Sequence, residues 1–193
     1  MLFSESLVME HIFQQHGNVG FLDNFFIYLA AYSSYFFALL FAAIVFYCFF
    51  IQLKKKRGVY WTSLLLLPVA ILVNKLLREL VSRERPFMAV EEFSSLIYHH
   101  YSSSFPSNHA AASFAIAGIL YLINPKWGKL AMVLALLVSI SRVYVGVHYP
   151  SDIAAGAFIA LILLYLFAKY RTTLEQQLNT WGASLIHYWR KSV

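Results

Sequence analysis

Cysteine is all but missing: Cys48 is the single one among 193 residues. One cysteine excludes an intramolecular disulfide framework and any multi-cysteine metal site, and its place inside an apolar run marks it as a packed thiol. Charge is scarce too, at 12% of residues against 60% hydrophobic and 18% aromatic. So little polar surface cannot clothe a water-soluble globule. Residues 1 to 23 lack the basic n-region and small-residue cleavage site of a secretory signal. They are expected to stay in the mature protein, with Ser6 to Gln15 as a short amphipathic helix on the membrane surface. The formal net charge of +6 does not point to nucleic acid, because the basic residues punctuate apolar segments instead of forming a stripe.

What is present is a series of apolar runs long enough to cross hydrocarbon. Asn24 to Leu53 is the first, and it stops at Lys54, Lys55, Lys56 and Arg57. Trp61 to about Leu77 is the second, with Pro68 as an expected kink. Phe87 to Pro106 is mixed and serine-rich, a loop outside the core. His109 to Ile123 and Lys129 to about Val145 follow, separated by the helix-breaking Asn124-Pro125-Lys126-Trp127-Gly128 turn. Asp152 to Tyr170 is the last, and Gln176 to Val193 reads as a polar and aromatic tail with a surface helix. The expected fold is an all-α polytopic membrane helix bundle of about five spans. It forms one domain over residues 1–193: an interfacial segment (1–23), a transmembrane core (24–170) and a cytoplasmic tail (171–193). No internal repeat is visible.

Ten of the 15 basic residues gather on one side under this topology: Lys54, Lys55, Lys56, Arg57, Lys126, Lys129, Lys169, Arg171, Arg190 and Lys191. The positive-inside rule makes that side cytoplasmic. Lys75, Arg78, Arg83, Arg85 and Arg142 lie toward the opposite ends, against the rule, and require another reason to be there. Eight of the nine acids share that outer side, Glu175 being the exception.

Three segments converge at the outer ends: Arg78 to Pro86, Phe105 to His109 and Ser141 to Asp152. Planar guanidinium groups match phosphate oxygens bidentately, so Arg78, Arg85 and Arg142 form an anion clamp. The Pro106-Ser107-Asn108-His109 turn opens a helix, where Ser107 or Asn108 can cap and free amides can face an anion. Pro150 prevents simple helix continuation after His148, and Asp152 can turn back toward the imidazole. A carboxylate on one ring nitrogen fixes the tautomer and supports the cation formed when the other nitrogen attacks phosphorus. His109 is then free to protonate the leaving oxygen and later to activate water.

The segments read RELVSRERP from Arg78 to Pro86, PSNH from Pro106 to His109, and SRVYVGVHYPSD from Ser141 to Asp152. They resemble the three motifs of the type 2 phosphatidic acid phosphatase (PAP2) superfamily, KxxxxxxRP, PSGH and SRxxxxxHxxxD. The third matches in full; Arg78 replaces the usual lysine of the first, and Asn108 the glycine of the second. The resemblance covers about residues 24 to 170. It implies that His148 is the nucleophile, Asp152 its orienting partner and His109 the general acid, with Arg78, Arg85, Ser107, Asn108 and Arg142 binding phosphate. Chain length and the PSNH form are similar to the small BcrC-like undecaprenyl pyrophosphate phosphatases. That similarity implies hydrolysis of undecaprenyl pyrophosphate, held among membrane lipids, to undecaprenyl phosphate and phosphate at the extracytoplasmic face. Phosphatidylglycerol phosphate, phosphatidic acid or lipid A phosphate are alternative substrates, and transfer of the phosphoryl group to an acceptor other than water is an alternative reaction.

Taken singly, each motif has a plainer reading: an Arg-Pro pair at a helix end is usually an interfacial anchor. Their order, spacing and shared membrane face make the case. Lys75, Arg83, Glu79 and Glu84 are expected to form ion pairs around the mouth, with Arg83 a secondary candidate for touching substrate. His99 and His100 read as solvated loop residues; with Glu91 and Glu92 they are a weak metal candidate. No metal or cofactor is expected, because arginines and not acidic ligands dominate the site. A non-catalytic lipid-phosphate binder or transport component would use the same arginines, but it would have no need of His109, His148 and Asp152 together.

Overall fold

The computed structural model describes residues 3–16, 20–50, 57–89, 95–98 and 102–192. Lys54, Lys55, Lys56, Glu91, Glu92, His99 and His100 lie outside the described residues. Every regular element among the described residues is a helix: α1 (Phe3–Gln15), α2 (Gly20–Phe50), α3 (Arg57–Leu80), α4 (Pro86–Ala89), α5 (Asn108–Ile123), α6 (Pro125–Tyr144) and α7 (Pro150–Ser192). The five expected spans correspond to α2, α3, α5, α6 and the first part of α7. Among the described residues α2, α6 and α7 are each long and apolar enough to cross a membrane, and α5 is a shorter apolar helix. The chain is a multi-pass membrane protein.

Helix α5 is the hub, packing most extensively against α6 and then against α7 and α3. Its inner face is made of small residues, Ala110, Ala111, Ala115 and Ala117, all fully buried, which let neighbouring backbones approach closely. Gly156 serves the same end on α7, since a Cβ there would stand 2.5 Å from the carbonyl oxygen of Ser107. Outward faces are apolar instead, with Leu39, Phe46, Leu72, Phe158 and Tyr165 exposed.

Helix ends follow local chemistry. Asn124 closes α5 and opens α6, its side chain accepting from the amides of Lys126 at 3.0 Å and Trp127 at 3.4 Å. Pro125 then fills the first helical position, where a missing N–H costs nothing. The loops of 81–85 and 102–106 clip together: the Ser104 amide donates to the Arg83 carbonyl at 2.8 Å, and the Ser103 hydroxyl to that of Val81 at 3.1 Å. Irregular backbone at the end of the bundle is thereby satisfied by protein.

Two expectations change. The C-terminal stretch is no separate surface helix, because α7 continues unbroken to Ser192; nothing between Tyr170 and Ser192 is a proline, and the residues there are compatible with helix. Helix α1 exists, but it docks on protein. Glu5, Met9 and Phe13, spaced four apart, share one face and are buried, while Leu7 and Val8 remain exposed.

Candidate active site

The connection between α6 and α7 folds tightly to bury a histidine. Gly146 has φ +81°, a left-handed turn that costs a glycine little, and a Cβ there would also meet the Phe13 ring at 2.6 Å. Beyond it the amides of Val147 and His148 both donate to the Arg142 carbonyl, at 3.2 and 3.3 Å. His148 ends 1% exposed. Its Nδ1 lies 3.5 Å from Oδ2 of Asp152, one helical turn further on, and its Nε2 lies 3.4 Å from an Arg85 terminal nitrogen. An arginine can only donate. Nε2 therefore carries the lone pair and Nδ1 the proton, a tautomer assigned from these neighbours. Burial pushes the imidazole down to about 3; Asp152 opposes the shift, and the Arg85 and Arg142 guanidinium groups reinforce it. At neutral pH the ring is uncharged.

The separation of 3.5 Å is long for a hydrogen bond, and Nδ1 has no conventional partner. Asp152 is held elsewhere. Its Oδ2 accepts the Tyr149 amide at 2.9 Å, and its Oδ1 accepts from Arg83 at 2.7 Å. The carboxylate is fully buried, and its own carbonyl accepts the Ser107 amide at 3.1 Å, which joins the start of α7 to the start of α5.

The three expected clamp arginines differ in how they are engaged. Arg85 is 1% exposed and makes five contacts: to the Ser102 carbonyl and hydroxyl, the Ser103 carbonyl, the Val147 carbonyl at 2.7 Å, and Nε2 of His148. That matches the five N–H donors of a guanidinium, so in this state Arg85 braces the loops. Burial, helped by nearby Arg78, lowers it to about 10, and it stays charged at neutral pH. Arg78 donates to the Pro106 carbonyl at 3.1 Å and Arg142 to the Ala30 carbonyl at 3.0 Å, but the Nε of each is buried without a partner. Unmatched guanidinium donors in a buried site are costly unless an anion completes them.

Ser107 is the N-cap of α5, its hydroxyl accepting the Ala110 amide at 3.4 Å. Its own amide is taken by Asp152, so that donor does not face the site as expected. Asn108, the first helical residue, accepts from Asn74 at 3.2 Å. His109 bonds the Ser34 hydroxyl through Nε2 at 2.9 Å. It borders two cavities. One, about 600 Å³, is also lined by Arg142, Ser34 and Tyr98; the other, about 270 Å³, runs from Asn108 and His109 down among Phe37, Leu67, Ile71 and Ile116.

Four residues in this network escaped sequence reasoning or were given a lesser part: Glu5, Ser34, Asn74 and Arg83. Asn74 is fully buried one turn before Arg78 and also donates to the Ser107 carbonyl at 3.1 Å; a polar side chain inside an apolar run was the available signal. Arg83 does form an ion pair, but with Glu5 and Asp152, both at 2.7 Å, and not with the exposed Glu79 or Glu84 beside it. Among the described residues no cluster of histidine, cysteine and acidic side chains could hold a metal ion.

A polytopic membrane bundle that buries a neutral histidine against a carboxylate at one end, beside arginines with unmatched donors, defines the class: a membrane protein built for phosphoryl chemistry. The PAP2 superfamily model matches residues 59–176, more than half of the sequence, and the chain belongs to that family. It is 36% identical over 141 residues to the bacitracin transport permease protein BcrC of Bacillus licheniformis, covering 72% of this chain and 68% of that protein. It is 28% identical over 165 residues to the undecaprenyl-diphosphatase BcrC of Bacillus subtilis, covering 86% and 82%. Among solved structures, the PAP2-type phosphatidylglycerolphosphate phosphatase of Bacillus subtilis superposes with TM-score 0.64 at 25% identity, over 88% of this chain and 85% of that one.

Proposed function

We propose that the protein hydrolyses undecaprenyl diphosphate to undecaprenyl phosphate and inorganic phosphate, at the extracytoplasmic end of the bundle, through a phosphohistidine on His148. The observation that carries this reading is the buried, neutral His148, with Nε2 facing the arginines and Nδ1 facing Asp152. A binder or transporter of lipid phosphates would be served by Arg78 and Arg142 alone. The name of the Bacillus subtilis relative supports the diphosphate substrate. The apolar groove beside His109 suits the lipid chain, and the gathering of basic residues at the other end of the bundle supports the sidedness.

In this mechanism Nε2 attacks the terminal phosphorus and the bond from that phosphorus to the bridging oxygen breaks. The lipid monophosphate leaves on the bridging oxygen, protonated by His109. The Nε2–P bond makes the ring cationic while Nδ1–H is retained toward Asp152, which stabilises that charge. His109, now neutral, takes a proton from water; the resulting hydroxide attacks phosphorus, the N–P bond breaks and phosphate departs. Arg78 and Arg142 bring their unmatched donors to the phosphoryl oxygens, with Ser107 and Asn108 at the start of α5 beside them. Arg85 turns the N–H now directed at Nε2 onto an oxygen as phosphorus arrives, and this opens the lone pair to attack.

The test is phosphate release by purified protein in detergent from undecaprenyl diphosphate, phosphatidylglycerol phosphate, phosphatidic acid and lipid A, with His148→Ala alongside. Fastest turnover of undecaprenyl diphosphate, lost in His148→Ala, is expected. Preference for a glycerophospholipid overturns the substrate; undiminished release by His148→Ala overturns the mechanism.

A further inference from the structure

The N-terminal helix reaches the catalytic carboxylate through one arginine. Glu5 is only 9% exposed although it sits in a surface helix. Its Oε2 accepts from Arg83 at 2.7 Å and its Oε1 from the Ser151 amide, at the start of α7, at 3.0 Å. The same arginine donates through its other terminal nitrogen to the Ser151 hydroxyl at 2.6 Å and to Oδ1 of Asp152 at 2.7 Å. Its plane lies 3.9 Å from the centre of the Tyr149 ring, and Tyr149 packs with Met9 and Phe13 of α1. His16 completes the seat with a contact of 2.8 Å to the Tyr144 carbonyl.

We propose that Glu5 is a positioning residue of the active site, acting through Arg83 to hold the Asp152 carboxylate behind His148, so that α1 is a working part of the catalytic centre. The inference rests on the phosphatase reading above. Two physical effects support it. Geometrically, Arg83 is 20% exposed along its side chain and spans two anions; without Glu5 one end of its fork is unpinned, and the carboxylate it grips can shift relative to the imidazole. Electrostatically, Arg83 alone would cancel Asp152. Glu5 makes the trio two carboxylates and one guanidinium, a net negative charge behind a ring that becomes cationic when it attacks. The Ser151 amide adds a directional tie, because Glu5 accepts one of the unpaired N–H groups at the N-terminus of α7.

The test measures kcat and KM for phosphate release from undecaprenyl diphosphate by full-length wild type, Glu5→Gln, Glu5→Asp, Arg83→Gln, the Glu5→Gln/Arg83→Gln double variant and His148→Ala, with thermal midpoints in the same detergent. Glu5→Gln is expected to lose about 10- to 100-fold in kcat with KM nearly unchanged. Glu5→Asp should recover part of the loss, and the double variant should be no slower than Arg83→Gln, since Glu5 acts through that residue. A loss in kcat matched by a collapse of the thermal midpoint, without rescue by Glu5→Asp, reduces Glu5 to a fold anchor and overturns the inference. Full kcat in Glu5→Gln while His148→Ala is dead overturns it and leaves the phosphatase reading standing. Absence of turnover by wild type overturns both.

Discussion

At the level of single residues, the neighbours of His148 set its tautomer without reference to substrate, and in the proposed mechanism that tautomer decides which nitrogen attacks. Asp152→Asn keeps the size of the side chain but removes the charge that supports the imidazolium. It should lower kcat by about 10²- to 10⁴-fold, with a smaller change in KM; a change confined to KM would place Asp152 in substrate binding instead. The buried ring also makes stability depend on pH. Its folded value of about 3 lies below the ordinary 6.5, so between those limits the unfolded chain takes up a proton that the folded chain refuses. Stability is therefore fully present above pH 6.5 and declines as pH falls. For Glu5, burial raises the carboxyl, but hydrogen bonds from Ser151 and Arg83 outweigh it and leave the group below its ordinary 4.5, adding a loss in the same direction below that pH. Thermal midpoints measured from pH 7 to 4 should fall, and fall less steeply in His148→Asn. Parallel slopes would show that the ring is not buried neutral.

Helices carry these residues into register, and the tightest register is between α5 and α7. Gly156 lets α7 lie against the Ser107 carbonyl, the same residue whose amide the Asp152 carbonyl accepts. Gly156→Ala forces a Cβ to within 2.5 Å of backbone that has no flexible end to yield. About 1–3 kcal/mol of destabilisation is expected from such overpacking, together with reduced kcat, since Asp152 moves with its helix. Calorimetry beside the activity assay checks this, and an unchanged midpoint would contradict the close packing.

The same scale shows what a sequence can reveal. HxxxD places Asp152 one turn beyond His148, and PSNH opens α5 at its cap; both are local relations, readable from spacing. The five apolar runs likewise announced α2, α3, α5, α6 and α7. Glu5 meeting Arg83 is a contact between residues 78 apart in sequence, and Ser34 meeting His109 spans 75. No periodicity encodes which surface helix folds over which loop. The phosphate role expected of Arg85 follows from its guanidinium and from the segment it shares with Arg78, whereas the loop carbonyls it braces come from residues 102, 103 and 147, which nothing in the sequence pattern ties to it.

For the molecule as a whole, the charged site occupies one end of a bundle whose outer faces are apolar, an arrangement that suits the proposed substrate, an anion carried on a lipid chain. In the proposed reading Arg78 and Arg142 supply the countercharge, through donors that have no partner in the protein. Phosphate release should therefore change less than about twofold on adding EDTA; strong inhibition reversed by one particular divalent metal would refute that. In the proposed mechanism phosphate passes through His148. The most direct measurement is rapid acid-free quenching of wild type, His109→Ala and His148→Ala with labelled undecaprenyl diphosphate, followed by mass spectrometry of the peptide containing residues 143–152. A phosphoryl group is expected on His148, accumulating in His109→Ala because water is no longer activated, and absent from His148→Ala. Release of phosphate from wild type with no phosphohistidine in either active-site background, or a phosphoryl group found on His109, would contradict it.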